Sequence, residues 1–339
     1  MKALVLVEPG KTEIRDIEKP SPSDDEVLLR IGAVGFCGGD LNGFLGLFEL
    51  QEYPNVLGHE VGAVIEAVGK NVPADFRVGM KVTINPYLNC GHCISCRKGR
   101  PNACMDNKTM GVRRPGAMTE YITIDWKKLH ASEKLSLQEL ALVEPLTVGF
   151  HAAARGGVKL GDKVLVMGCG IVGLGAVAGS VHRGAEVIAL DVSDYKTDIA
   201  KKAGAVAAIN STNTDVAKAL SELTNGDGPD VVIEAVGSYD TYRAAVDLVA
   251  YTGRVVYIGY GKKPVDYNTG TFVRKEIEIL GSRNCLGDFP DVINYLESGR
   301  FPVDAVISKT VSLQDSGAAL QQWATERGNI TKIMVDLSI

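Results

Sequence analysis

The second half of this sequence alternates short apolar segments with stretches long enough for a helix, and no other feature limits the fold as much. Helix-length segments, for example residues 195–202 and 239–248, separate the apolar ones. Strands buried on both faces read as continuous apolar runs, and their alternation with helices is typical of a doubly wound parallel sheet. The sequence therefore predicts an α/β fold here, with strands at residues 163–167, 186–191, 205–210, 230–237, 254–259 and 276–281.

A glycine-rich turn follows the first of these strands. Gly168, Gly170 and Gly173 stand where the strand passes into a helix that begins with Ile171 and Val172. In a Gly-x-Gly-x-x-Gly motif so placed, the first glycine allows a tight turn and the second lets the backbone approach a pyrophosphate. The third lets the helix pack against the strand, and the helix N-terminus faces the phosphates. The motif predicts a dinucleotide-binding site.

The end of the second strand indicates which dinucleotide binds. Asp191 lies 23 residues after Gly168, at a position where a carboxylate accepts hydrogen bonds from the ribose hydroxyls and repels a 2′-phosphate. We therefore expect NAD rather than NADP. Two more strand ends, at Val236–Gly237 and Ile258, belong to the same carboxyl edge of the sheet, and we expect them beside the nicotinamide.

The rest of the chain is richer in strands. Its length of 339 residues suggests two domains. In the first 145 residues, β-branched segments such as 26–32 and 61–69 are bounded by Gly, Pro and Asn, which is typical of strands. The last fifty residues contain two helical stretches, 291–298 and 313–326, and a closing strand at 332–337.

Composition and charge exclude several classes of protein. Lys and Arg number 36 against 41 Asp and Glu, whereas a general nucleic-acid binder shows a basic excess. No run of about 18 uncharged apolar residues predicts a membrane span. The apolar run in the first ten residues is too short for a secretory signal. We therefore expect a soluble, cytoplasmic protein that binds neither nucleic acid nor membranes.

Four of the seven cysteines fall within fifteen residues, at positions 90–104. An odd number of cysteines without a secretory signal argues against a disulfide framework. Four thiolates so close together can close a tetrahedron around one zinc ion and leave no position for substrate, so the site is structural. An iron–sulfur cluster also uses four cysteines, and a loop of four reduced cysteines is the third interpretation. The acidic context favours zinc, bound by Cys90, Cys93, Cys96 and Cys104.

A second set of metal-binding residue types stands apart from this lobe. It comprises Cys37, the adjacent pair His59 and Glu60, and Glu144. One cysteine, one histidine and one or two carboxylates suit a catalytic zinc that keeps an open position. Each residue alone is also compatible with a core or surface position, and spacing does not show that they meet in space.

Together these motifs resemble the zinc-dependent medium-chain dehydrogenases. The resemblance rests on Gly-Phe-Cys-Gly-x-Asp at 35–40, Gly-His-Glu at 58–60, the four-cysteine lobe and Glu-Pro-Leu at 144–146. Within that superfamily the chain looks most like the polyol and sugar-acid branch, which includes sorbitol and L-galactonate dehydrogenases. The resemblance implies a GroES-like β-rich catalytic domain at 1–148 and 288–339, and a Rossmann NAD-binding domain at 149–287.

The resemblance also implies roles for individual residues. Cys37 and His59 would bind the catalytic zinc, Glu60 would be a ligand that comes and goes, and Glu144 a further acidic ligand, direct or through water. Asp40 would orient His59 through its other ring nitrogen. Lys196 matches a basic residue that the family places beside the adenosine ribose. Family members often carry an Arg or Lys that balances the carboxylates, but the sequence does not identify one.

Two positions depart from the family pattern. Gly39 replaces the Ser or Thr whose hydroxyl begins the proton relay, and Asn42 replaces a frequent His. Neither residue passes a proton in the usual way. The proton would leave through zinc-bound water with Glu60, through a substrate hydroxyl, or through another residue.

Residues expected on the substrate side lie in two segments. Arg283 and Asn284 resemble the corresponding segment of L-galactonate-type members; Arg283 suits a carboxylate or hydroxyls, or it pairs with an acid of the protein itself. In residues 43–53, three aromatic side chains are candidates for an apolar wall of the substrate site, namely Phe44, Phe48 and Tyr53. We interpret Cys169 and Cys285 as buried filler, and His151 as structural.

The sequence thus predicts a zinc- and NAD-dependent dehydrogenase that oxidises a secondary alcohol of a sugar acid or polyol to the ketone. Zinc-dependent oxidation of L-threonine or 2,3-butanediol is an alternative. A zinc-free quinone reductase of the same superfamily lacks both cysteine sets, which counts against it. A non-catalytic NAD-binding protein on this fold stays open because Gly39 lacks the hydroxyl. The expected partners are a small-molecule substrate and further copies of the chain, as a dimer or tetramer.

Overall fold

The computed structural model describes residues 1–261, 263–326 and 328–338. The chain divides into two compact units. Unit 1 comprises Met1–Glu144, Phe289–Glu297 and Ile307–Ile339, and unit 2 comprises Pro145–Asp288 and Ser298–Val306. Residues 145–148, 288 and 298–306, which were expected in the catalytic domain, therefore belong to unit 2.

The described residues form eighteen strands and eleven α-helices, with two short 3₁₀ helices. The strands are β1 Lys2–Glu8, β2 Lys11–Asp16, β3 Glu26–Gly35, β4 Asn55–Val56, β5 Glu60–Val68, β6 Lys81–Ile84, β7 Tyr87–Leu88, β8 Lys108–Thr109, β9 Tyr121–Asp125, β10 Leu129–Ala131, β11 Lys163–Met167, β12 Glu186–Asp191, β13 Ala207–Asn210, β14 Val231–Glu234, β15 Arg254–Tyr257, β16 Glu278–Gly281, β17 Ile307–Ser312 and β18 Lys332–Asp336. The helices are α1 Gly38–Phe44, α2 Ile94–Arg97, α3 Leu137–Arg155, α4 Ile171–His182, α5 Asp194–Lys202, α6 Val216–Leu223, α7 Tyr239–Leu248, α8 Thr269–Lys275, α9 Phe289–Glu297, α10 Val303–Val306 and α11 Ser316–Thr325.

Unit 1 is built around strand β3. In its largest sheet the strands run in the order β10-β6-β5-β3-β18-β17, and β9 also pairs with β3. Nine of the ten residues of β3 are buried or half-buried, since pairing and packing cover the strand. Two smaller sheets, β2-β1-β4 and β7-β8, complete the unit. The predicted β-rich domain is confirmed.

Unit 2 contains one sheet of six parallel strands in the order β13-β12-β11-β14-β15-β16. The predicted doubly wound sheet is therefore confirmed. The order reverses beside β11, which pairs with both β12 and β14. In open sheets of this kind the crevice at such a reversal binds the ligand.

Backbone geometry explains the glycine motif at this reversal. Gly168 has a φ of +91°, which favours glycine. A Cβ at Gly173 would lie 1.8 Å from the carbonyl oxygen of Gly168, so only glycine lets the helix approach the strand end. Gly170 is the N-cap of α4 and accepts a hydrogen bond from Leu174 N at 2.8 Å. The turn thus leaves the first backbone N–H groups of α4 available for an anion.

Helix α3 starts at a reciprocal cap. Ser136 N donates to the Glu139 carboxylate at 2.7 Å, and Glu139 N donates to Ser136 Oγ at 3.2 Å. This capping box satisfies backbone donors that the first helical turn leaves free. Glu144 lies on the same helix, about one and a half turns after Glu139.

Within the described ranges, no helix combines the length and the apolar character that crossing a bilayer requires.

Candidate metal and dinucleotide sites

Cys37 is positioned by the short turn between β3 and α1. It is the N-cap of α1, and its Sγ accepts a hydrogen bond from Gly39 N at 3.3 Å. The Asp40 carboxylate accepts a hydrogen bond from Cys37 N at 2.8 Å. These two bonds close a capping box that fixes the thiol beside the end of β3.

His59 and Glu60 stand where β5 begins, and both are buried. In the register of the two strands, Glu60 lies opposite Gly35 of β3. A Cβ at Gly35 would lie 2.1 Å from Glu60 Oε2. The glycine therefore provides the space that the Glu60 carboxylate occupies.

Cys37, His59 and Glu60 form one group whose potential ligand atoms all lie within 4.8 Å of one another. Sulfur, imidazole nitrogen and carboxylate oxygen are the donors that zinc takes in proteins. His59 Nδ1 and Glu60 Oε1 are buried and have no hydrogen-bond partner among the described residues. The donor set and its unsatisfied atoms fit a zinc ion, and three protein ligands leave a position open for substrate.

A buried cation stands beside this group. The Lys332 side chain is fully buried, donates a hydrogen bond to Glu60 Oε2 and bonds the carbonyl oxygen of Phe36 at 2.8 Å. Lys332 was not predicted as a site residue, and its charge balances that of the Glu60 carboxylate. Its available signal was a lysine directly before the apolar residues 333–335 of strand β18.

Two other predicted residues, Asp40 and Glu144, lie outside the group of three possible ligands. Asp40 Oδ1 and His59 Nδ1 are both buried without a hydrogen-bond partner among the described residues, so no hydrogen bond joins these two atoms. Glu144 is buried but lies outside the close group of three, and its carboxylate accepts a hydrogen bond from the Tyr87 hydroxyl. Tyr87, which fixes that carboxylate, was not predicted.

The electrostatics of the site favour a bound cation. Burial raises the pKa of Asp40 and of Glu144 because it disfavours their charged forms. Burial alone lowers the pKa of His59, but Cys37 and the carboxylates of Asp40 and Glu144 raise it well above its ordinary value. The site therefore gathers negative groups that a divalent cation would stabilise.

The four-cysteine lobe forms a second group in unit 1. The sulfur atoms of Cys90, Cys93, Cys96 and Cys104 lie within 4.8 Å of one another. Two of the Sγ–Sγ distances from Cys93 are 3.5 Å to Cys96 and 3.9 Å to Cys104. A tetrahedron with Zn–S bonds of about 2.3 Å places its sulfurs about 3.8 Å apart. The lobe therefore has the dimensions of a zinc site.

Backbone groups prepare the lobe for thiolates. Cys93 N donates to Cys90 Sγ, and Cys90 N donates to Cys104 Sγ, both at 3.3 Å. Backbone N–H groups of Met105 and Cys96 lower the pKa of the Cys93 thiol to about 6. His92 is exposed and bonds the Cys90 carbonyl at 2.8 Å, consistent with its expected place outside the sulfur shell.

In unit 2, Asp191 supports the glycine turn directly. One carboxylate oxygen accepts a hydrogen bond from Cys169 N at 2.7 Å. The other accepts bonds from Val192 N and Ser193 N at 2.8 and 3.1 Å. Asp191 therefore joins the end of β12 to the turn after β11, the two segments expected around the adenosine ribose and the pyrophosphate.

Glu234, which was not predicted as a site residue, joins the next two strand ends. Its buried carboxylate accepts hydrogen bonds from Val236 N and Gly237 N, both at 2.8 Å, and its carbonyl accepts one from Ile258 N at 2.9 Å. The three residues expected beside the nicotinamide are thus brought together. The sequence signal for Glu234 was a glutamate at the end of an apolar strand. A glutamate in such a place is ordinarily interpreted as a charge exposed to solvent.

The remaining predicted residues are more dispersed. Lys196 is half-buried in the first turn of α5, Arg283 is exposed after β16, and Asn284 has a φ of +51°. Phe44 is buried in the hydrophobic core of unit 1, and Tyr53 packs against that core. The expected aromatic wall is therefore wrong for Phe44, because its place on α1 directs it inward. Three residues interpreted as structural are buried, namely Cys169, Cys285 and His151.

Comparison with known proteins adds independent findings. A family profile described as the alcohol dehydrogenase GroES-like domain matches residues 23–134, and one described as zinc-binding dehydrogenase matches residues 172–298. L-galactonate-5-dehydrogenase of Escherichia coli is 31% identical, with 91% of each chain covered. Sorbitol dehydrogenase of Bacillus subtilis is 33% identical and covers 99% of this chain and 97% of its own. An alcohol dehydrogenase structure from E. coli CFT073 in complex with NADH superimposes with a TM-score of 0.91 at 30% identity, covering 99% of each chain.

Proposed function

Because this chain belongs to the zinc-type medium-chain alcohol and polyol dehydrogenases, an NAD-dependent oxidoreductase family, we propose that it oxidises a secondary alcohol of a sugar acid or polyol to the ketone. The observation that carries this proposal is the buried group of Cys37, His59 and Glu60, with ligand atoms within 4.8 Å. A non-catalytic NAD-binding protein has no use for an open metal site of this kind.

Each residue around the metal has a task. Bound zinc lowers the pKa of a coordinated hydroxyl, and NAD accepts the hydride. Cys37 and His59 would hold the metal, Glu60 would be an exchangeable ligand, and Glu144, whose carboxylate accepts a hydrogen bond from Tyr87, would be the further acidic ligand. Asp40 holds the Cys37 turn through its hydrogen bond to the backbone. The four-cysteine lobe would hold a second, structural zinc.

Unit 2 holds the cofactor in this proposal. The pyrophosphate binds at the start of α4, against the glycine turn and the first helical residues, namely Gly168, Gly170, Ile171, Val172 and Gly173. Asp191 takes the ribose hydroxyls and excludes the 2′-phosphate of NADP, and Lys196 lies beside the same ribose. Val236, Gly237 and Ile258 lie next to the nicotinamide, and Glu234 fixes them.

Substrate hydroxyls have two proposed contacts and one open question. Arg283 and Asn284 offer a guanidinium fork and an amide that both donates and accepts hydrogen bonds. The proton of the oxidised hydroxyl does not leave through residue 39, because Gly39 has only a backbone N–H, which bonds Cys37 Sγ. We propose that Glu60 or a neighbouring substrate hydroxyl accepts it.

A substrate panel tests the function. Zinc-loaded protein is mixed with NAD and, separately, hexonates, hexitols, L-threonine and 2,3-butanediol, and NADH formation is followed by absorbance. We expect turnover with a hexonate or hexitol, and none in the Cys37→Ala variant. Turnover on threonine or butanediol alone would overturn the substrate class.

Metal analysis separates enzyme from binding protein. We expect two zinc ions per chain, one for each group of ligands. One zinc that survives Cys37→Ala but is lost on substitution in the four-cysteine lobe would favour a catalytically silent site. Light scattering on the same sample tests the proposed homo-oligomer, a dimer or tetramer.

A further inference from the structure

Two adjacent arginines in unit 1 have opposite surroundings. Arg113 forms ion pairs with Asp106 at 3.1 Å and Glu52 at 3.6 Å. Arg114 forms no ion pair with any carboxylate of the described residues; its Nη2 donates to the Pro86 carbonyl at 3.1 Å, and its Nε is buried without a partner. One guanidinium is neutralised by the protein, and the other is not.

An unpaired, half-buried guanidinium is unfavourable in the free protein. Burial lowers the pKa of Arg114 because it removes water from the charged group. Arginine nevertheless stays protonated, so the positive charge persists. An anion that enters the site would regain the lost electrostatic stabilisation.

Arg114 is tied on one side to the segment that carries His59 and Glu60. The Arg114 carbonyl accepts a hydrogen bond from Asn55 Nδ2 at 3.2 Å. Shortly after Arg114, the backbone N–H groups of Gly116, Ala117 and Met118 donate hydrogen bonds to carbonyls of residues 56–58, at 2.8, 2.9 and 2.8 Å respectively. The arginine thus belongs to a strip bonded along the chain that leads into the two proposed ligands.

On the other side, Arg114 is tied to the segment that fixes Glu144. The Pro86 carbonyl accepts a hydrogen bond from Arg114 Nη2. The next residue, Tyr87, donates a hydrogen bond from its hydroxyl to the Glu144 carboxylate. Arg114 is therefore bonded through its backbone to one segment and through its guanidinium to another, and each segment lies within a few residues of a proposed metal ligand or its hydrogen-bond partner.

We propose that Arg114 binds the anionic group of the substrate, and so selects an acidic sugar derivative over a neutral polyol. This inference rests on the proposed function. The Nη hydrogens that the Pro86 carbonyl does not accept lie in the guanidinium plane and suit the oxygens of a carboxylate, whereas Nε is buried. A phosphate offers the same chemistry, so the substrate is a sugar acid or a phosphorylated sugar alcohol.

Kinetics of matched substrates test the proposal. Arg114→Gln, Arg114→Lys and the control Arg113→Gln are assayed with a hexonate, the corresponding hexitol and the hexitol phosphate. A hydrogen bond between a charged side chain and a charged ligand changes affinity by about ten- to a hundredfold. We expect Arg114→Gln to raise the KM for the anionic substrate by that factor and leave the hexitol unchanged, Arg114→Lys to recover part of the loss, and Arg113→Gln to match the wild type.

The pattern of losses identifies the ligand or overturns the proposal. A loss confined to the hexonate identifies a carboxylate, and one confined to the hexitol phosphate identifies a phosphate. Equal losses on hexitol and anion, or the same loss in Arg113→Gln, would overturn the role of Arg114. If Arg114→Gln does not fold, the Arg114→Lys variant decides alone. We then expect Arg114→Lys to have a higher KM for the anionic substrate and an unchanged KM for the hexitol.

A binding measurement distinguishes this failure from failure of the proposed function. If the wild type oxidises nothing in the panel, the proposed function is wrong, and anion binding is then measured by thermal unfolding of the zinc- and NADH-loaded protein. Protection by the hexonate or the hexitol phosphate that disappears in Arg114→Gln but persists in Arg113→Gln supports the anion site. Equal protection of both variants, or none of the wild type, refutes it.

Discussion

Replacing Lys332 by methionine is the sharpest test of how the metal site is held together. The lysine and Glu60 are both fully buried, and they form an ion pair. Glu60 Oε1 already lacks a hydrogen-bond partner. In the Lys332→Met variant both carboxylate oxygens would be unpaired inside unit 1, while the methionine keeps most of the side-chain volume.

The expected loss follows from burial. Removing one partner of a buried pair leaves an uncompensated charge and costs about 3–5 kcal/mol in the free energy of unfolding. Removing both charges together avoids most of that cost, so Lys332→Met with Glu60→Gln should recover stability. Lys2 and Asp16 provide the control, since their ion pair of 2.7 Å has side chains 54% and 74% exposed. Lys2→Met should change stability much less, because water and salt screen exposed pairs.

Urea unfolding of the zinc-free protein, followed by circular dichroism, measures these differences, because bound zinc would itself compensate the Glu60 carboxylate. Our reasoning requires the order Lys332→Met least stable, the double variant intermediate or near wild type, and Lys2→Met near wild type. A Lys332→Met variant within about 1 kcal/mol of the wild type would refute it, since the carboxylate would then have found another way to be stabilised. A double variant less stable than Lys332→Met would refute it as well.

Four further outcomes are expected. Gly39→Ser should fold, because its Cβ would meet Cys37 Sγ no closer than 3.6 Å, and the added hydroxyl should change the pH profile of kcat; an unchanged profile would show that the relay does not need it. Cys96→Ser should reduce zinc, measured by mass spectrometry, by one ion per chain, whereas unaltered content would contradict the structural site. Asp191→Ser should shift the kcat/KM ratio toward NADP, with weaker NAD binding because three backbone bonds are lost; a constant ratio would show that Asp191 does not select the cofactor. Burial lowers the pKa of His130 to about 4, whereas the unfolded chain binds this proton near pH 6.5, so the contribution of His130 to stability is lost as pH falls through that interval. His130→Asn should therefore make the melting temperature depend less on pH between those values, and a pH dependence identical to that of the wild type would contradict this.

Local sequence patterns predicted the parts of the fold that depend on neighbours in the chain. The strands at 163–167 and 186–191 were predicted with the bounds that the structure has, because continuous apolar runs and turn glycines are local signals. The cysteine lobe follows from close spacing in the same way. Its four ligands occupy one short loop, so no tertiary information was needed.

Features that depend on distant pairing were not predictable. Lys332 meets Glu60 across 272 residues, and only the placement of β18 beside β3 brings it there. Phe44 was expected in an aromatic wall because the sequence shows hydrophobicity but not direction. Arg113 and Arg114 look alike in the sequence, and only tertiary contacts give one of them its acidic partners.

The contact between Gly35 and Glu60 has a consequence for attempts to stabilise the protein. Exchanging glycine for alanine in a regular strand commonly gains about 0.4–1 kcal/mol, because the unfolded chain loses freedom. Gly35 looks suitable for such an exchange, since it ends a strand and its φ is not positive. The added methyl group would nevertheless claim the volume of the Glu60 carboxylate, with 2.1 Å between their atoms. A thermostability library should therefore keep glycine at this position, since a variant gaining rigidity there would displace a proposed metal ligand.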